Sequence, residues 1–121
     1  MNPKTKAELM ATVGPETTER IEKATEGTPN ALLILTDVPG AEVLAFRGPN
    51  GPEWTRYRIG CAGTPEHKVT ETRNLVVSCR LYPDANDFGG LLAAYPGLVE
   101  TSIGELIEHA GANQAKKALK T

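Results

Sequence analysis

The run NALLILTDVPGAEVLAFRG, residues 30–48, constrains this chain more than any other stretch. Residues 31–36 are continuously apolar over the length of a strand. Val38-Pro39-Gly40-Ala41 then supplies a turn, with Pro presetting φ and Gly taking the positive φ of a type II turn. Residues 42–47 return as a second strand. An isolated hairpin is marginal in water, so helices must cover at least one of its faces. From Gly48 onward the apolar spacing changes to that of helices. The expected fold is therefore α+β: one β-hairpin, at about 31–47, packed against a mainly α-helical C-terminal part of four helices.

With 121 residues the chain is expected to form one domain with a modest core. Hydrophobic residues make up 40%, yet only two are Phe and one is Trp, so that core must be mostly aliphatic. The 13 Lys and Arg nearly balance the 15 Asp and Glu, which gives no electrostatic case for nucleic acid as the main ligand. No apolar run reaches the ~18 residues of a membrane span. The N-terminus lacks the apolar segment of a secretion signal, so a soluble, cytoplasmic protein is expected. The organisation reads as a short helical arm at 1–27, a single α+β domain at 28–112 and a basic tail at 113–121.

The arm reads as two short helices separated by Gly14-Pro15 and stopped by Gly27. Their apolar faces are thin: Leu9, Met10 and Val13 in the first, Ile21 almost alone in the second. Loose docking, or ordering on a partner, is the expectation for it. After the hairpin, Asn50 before Gly51-Pro52-Glu53 signals a helix start, and Trp54, Tyr57 and Cys61 share a face up to the stop at Gly63. Thr64-Pro65 starts the next helix, which carries Val69, Val76 and Cys79 on one face with Leu75 beside it. Its end, NLVVSCRL, is rich enough in valine to pass for a strand; the capped start favours helix.

Two of the three tyrosines stand before proline, at Tyr82-Pro83 and Tyr95-Pro96. Proline disfavours the α region for the residue before it, so Tyr82 and Tyr95 are each expected to end a helix. Asp84 caps the helix between them, whose face is Phe88, Leu91, Leu92 and Tyr95. Gly89-Gly90 costs that helix about 2 kcal/mol relative to two alanines, which implies a close backbone approach or a helix meant to be soft. The last helix shows a stripe of Val99, Ile103, Leu106, Ile107 and Ala110 and ends at Gly111.

Catalytic constellations are missing from the sequence. His67 stands between Glu66 and Lys68 as a surface histidine would, and His109 suits the end of a helix. GPNGPEW lacks the lysine and hydroxyl residue of a phosphate-binding loop. Cys61 and Cys79 are not in a CxxC and have too few grouped partners for zinc, so reduced, structural thiols are expected, with no metal and no cofactor. Trp54, Tyr57, Tyr82, Phe88 and Tyr95 remain as structural or interaction candidates.

The order of landmarks over 42–121 resembles the small tail assembly chaperones of long-tailed bacteriophages and their prophages. The carriers of the resemblance begin with Glu53-Trp54 followed by Tyr57 and Arg58. Leu75, Val76 and Cys79 then run into Leu81-Tyr82-Pro83, and the step Tyr95-Pro96-Gly97 leads to a last helix closing in Ala110-Gly111. Lys116-Lys117-Ala118-Leu119 stands where the family often closes with Lys-Lys-Leu; the glycine pair and the N-terminal arm depart from the pattern. The resemblance implies a non-enzymatic protein that coats the tape-measure protein before the tail tube polymerises around it. It also implies a longer form, made by a backward ribosomal slip, that contacts the tail tube protein. Ala115-Lys116-Lys117 can be encoded by a slippery heptamer, though a basic helix end accounts for the same residues. Self-association is left open. The alternative is a small phage or bacterial regulatory protein that binds one folded partner.

Overall fold

The computed structural model describes residues 1–111 and 117–120. Most of the basic tail at 113–121, including Ala115 and Lys116, lies outside the described residues. The elements run α1 (Pro3–Thr25), β1 (Leu32–Leu35), β2 (Val43–Phe46), α2 (Gly51–Cys61), α3 (Pro65–Cys79), β3 (Arg80–Tyr82), α4 (Ala85–Ala94) and α5 (Leu98–His109). The class is α+β, with a hairpin followed by four helices.

The hairpin pairs Leu32 with Phe46 through to Leu35 with Val43. Gly40 takes φ 82°, and the Ala41 N–H donates to the Val38 carbonyl at 3.0 Å. The Thr36 hydroxyl donates to the Ala41 carbonyl and locks the turn from the side.

A third strand was not expected. The sequence reads as helix through Leu81, whereas α3 stops at Cys79 and β3 adds to the far side of β2. Arg80 is extended, at φ −61° and ψ 133°, and the Arg47 N–H donates to the Cys79 carbonyl at 2.8 Å. Unpaired backbone groups on a central, buried strand are costly, and residues 80–82 satisfy them. Tyr82 therefore ends a strand, before a cis peptide to Pro83, while Tyr95 does end α4.

All of β2 is buried because helices cover both faces of the sheet. On the inner face Ile34, Leu44 and Phe46 meet Leu75, Val76 and Cys79 of α3, Phe88 and Leu92 of α4, and Leu98 and Leu106 of α5. The Phe46 and Phe88 rings meet edge to face, with centroids 6.0 Å apart.

On the outer face lies α1, seated more firmly than its thin apolar faces suggested. Gly14, at φ 82° and ψ 174°, breaks it where Gly14-Pro15 marks the sequence. Lys6 and Glu22 form an ion pair at 3.2 Å. A straight helix would hold them roughly 24 Å apart, so the two halves fold back on each other. Leu9 and Ile21 are thereby buried together over Val43 of β2, with Leu33 and Tyr82 beside them.

Two helix faces differ from their periodicity. In α5 the fully buried line is Leu98, Ser102 and Leu106, while Val99, Ile103 and Ile107 are half-buried beside it and Ala110 is exposed. In α4 a Cβ added at Gly89 or Gly90 would meet nothing within 4 Å, so no close backbone approach explains the pair.

Candidate functional site

The most distinctive surface is built by α2 and α3, and its position is fixed at the base. Asn50 caps α2: its side chain accepts from the Glu53 N–H at 2.8 Å, and the Glu53 carboxylate accepts from the Asn50 N–H at 3.0 Å. This is the reciprocal capping box. The same carboxylate accepts two hydrogen bonds from Arg47 at the end of β2, at 2.7 and 2.8 Å. Arg47 also donates to the Ser78 carbonyl near the end of α3, at 3.0 Å. One guanidinium thus ties β2, α2 and α3 together. Its hydrogen bonds hold the Glu53 carboxyl well below the usual range, at about 2.

Above this base the two helices run close together. Gly60 faces Glu71 so tightly that a Cβ there would overlap the Cβ and Cγ of Glu71. Glu71 in turn accepts from Arg56 of α2 at 3.0 Å. Thr64 caps α3 by accepting from the His67 N–H at 3.2 Å.

The far end of the pair projects beyond the core. Residues 62–70 are all exposed. Ile59 is 69% exposed and Val69 is 70% exposed. Ile59 borders a groove of about 630 Å³ lined by Pro52, Thr55, Arg56, Gly60, His67 and Glu71. Its lining is apolar at Pro52 and Ile59 and charged at Arg56 and Glu71.

The five aromatic candidates are dispersed rather than gathered. Tyr57 is buried against the core, and burial, reinforced by the neighbouring Cys61 thiol, pushes its phenol up to about 12. Trp54 is half-buried and tilts onto Tyr57 with ring centroids 5.6 Å apart. Phe88 lies deep in the core, and Tyr82 is half-buried beneath α1. Tyr95 is 40% exposed at the end of α4.

Sequence reasoning missed Ile59 and misplaced Val69. Ile59 lies off the Trp54–Tyr57–Cys61 stripe, and an aliphatic residue off the apolar face of a short helix was the available signal. Val69 does continue the face of Val76 and Cys79, but one turn or more beyond the elements that cover them. Among the described residues, no three His, Cys, Asp or Glu side chains gather as metal ligands, and no helix is long and apolar enough to cross a membrane.

The chain matches no family model and no curated protein. It is similar to the solved structure of an uncharacterised protein from Bacillus stearothermophilus, with 23% identity and a TM-score of 0.64, over 83% of this chain and 99% of that one. At that identity the likeness is one of fold.

Proposed function

We propose that the protein is a tail assembly chaperone of a long-tailed bacteriophage or prophage, acting without catalysis in the bacterial cytoplasm. Its partner is the tape-measure protein, a long helical chain that must stay unaggregated until the tail tube forms around it. The observation that carries this reading is the projecting end of α2 and α3, where Ile59 stands exposed beside an apolar groove and Val69 stands exposed on α3 outside it. Many copies, each holding a short apolar segment weakly, would protect a long partner by multivalency. The sequence landmarks of the tail chaperones, Glu53-Trp54, Leu81-Tyr82-Pro83 and Tyr95-Pro96-Gly97, support the same assignment.

In this reading a longer form, made by slippage at the codons of Ala115-Lys116-Lys117, contacts the tail tube protein. Reading those codons and the overlapping frame tests this part separately. The main test is co-expression with the tape-measure protein encoded beside the gene. The chaperone should keep its partner in the soluble fraction and co-purify with it. Failure of the cognate pair to associate favours a regulatory protein with one folded partner.

A further inference from the structure

The sheet has one edge that the fold leaves open. β3 closes one side of β2, and β1 forms the other edge of the sheet. Thr36 N–H donates to Glu42, so Thr36, Ile34 and Leu32 turn their backbone groups toward β2. Alternation along an antiparallel strand then turns the N–H and C=O of Leu33 and Leu35 outward. Those groups have no partner strand among the described residues. The side chains tell the same story: β2 is buried throughout, whereas Leu32 and Leu33 are half-buried and Leu35 is 48% exposed. Residues 31–36 carry no charge, proline or glycine to guard the edge.

We propose that β1 pairs antiparallel with β1 of a second copy, joining two three-stranded sheets into one of six strands. The choice of a second copy rests on self-complementarity. A two-fold axis at Ile34 sets Leu33 opposite Leu35 of the other copy, and Leu35 opposite Leu33. Each outward N–H then meets an outward C=O, giving four hydrogen bonds. The residues that face each other over 32–36 are uncharged in both copies, so the pairing sets no like charges against each other. The side chains match as well. Leu33 and Leu35 lie on the α1 side of the sheet, next to a groove of about 270 Å³ lined by Thr5, Glu8 and Leu9. The partner's leucines enter the layer that borders that groove, the partner's Leu33 extending the row of Val43 and Leu35 and the partner's Leu35 extending that of Ala45 and Leu33. This inference does not depend on the tape-measure reading.

Light scattering on the purified full chain across a concentration series, with amide hydrogen exchange on the same samples, tests the proposal. The expected result is twice the chain mass, with the Leu33 and Leu35 amides protected as the dimer forms. The Ile34 and Thr36 amides should be protected at every concentration. Leu35→Lys should return the chain to a monomer with an unchanged circular dichroism spectrum. If that variant fails to fold, the exchange pattern of the wild-type chain decides. A monomer at all concentrations, or a dimer in which Leu33 and Leu35 exchange freely, overturns the proposal. So does protection of those two amides only when a different protein is added.

Discussion

Arg47 and Glu53 face each other in a bidentate pair, with both terminal nitrogens of the guanidinium within 2.8 Å of the carboxylate oxygens. The pair is partly shielded, its side chains 34% and 22% exposed. It joins the first residue after β2 to the first turn of α2, and through Ser78 to the end of α3. The projecting helices inherit their orientation from it.

The pair makes stability depend on pH in a defined window. Glu53 has its carboxyl lowered from 4.5 to about 2 by the Arg47 hydrogen bonds. A lowered folded value means that the contribution is complete above 4.5 and is lost as pH falls toward 2. Glu53→Gln should cost about 1–2 kcal/mol at neutral pH. Denaturation curves of the variant and wild type should converge as pH approaches 2. A difference that stays constant down to that pH would show that the charge is not responsible.

Glycines in this chain should respond to alanine in opposite directions. Gly60→Ala forces Glu71 away from α2 and is expected to destabilise by about 1–3 kcal/mol. Gly89→Ala and Gly90→Ala fill open space in α4 and are expected to stabilise by about 1 kcal/mol each. Thermal melts of the three variants check both signs. If the soft α4 serves binding, the stabilised double variant should also bind its partner less readily.

The thiols should behave as packing groups. Cys79 is fully buried, and burial pushes its thiol up to about 11, so it is protonated at neutral pH. It should resist alkylation in the folded chain, and Cys79→Ala should cost about 1 kcal/mol or more without affecting association. Rapid native-state labelling of Cys79 would contradict this.

The hairpin was readable because Pro39-Gly40 fixes the turn and the flanking runs are apolar. The breaks at Gly14 and Tyr95 were readable for the same reason: glycine and proline act locally. β3 was not, because residues 80–82 extend only in answer to the free side of β2, a contact that spans more than thirty residues. Helix 3.6-residue spacing identified the right face of α3 at Val69, Val76 and Cys79. It carried no information on where the covering helices end, so the exposed Val69 looked like core. Similarly, Ser102 sits fully buried, its hydroxyl without a hydrogen-bond partner among the described residues, on a line that hydrophobicity alone assigns to its neighbours.

In the proposed function, the end of α2 and α3 holds the tape-measure protein. Ile59→Glu and Val69→Glu place charges on side chains that touch little in the folded chain, so stability should change by less than about 0.5 kcal/mol. Co-expression of the wild type and of the double variant with the cognate tape-measure protein, read as the soluble, co-purifying fraction, is the most direct measurement. The account predicts that the wild type carries its partner into the soluble fraction and that the folded double variant loses most of it. A double variant that rescues the partner as well as the wild type does would contradict it.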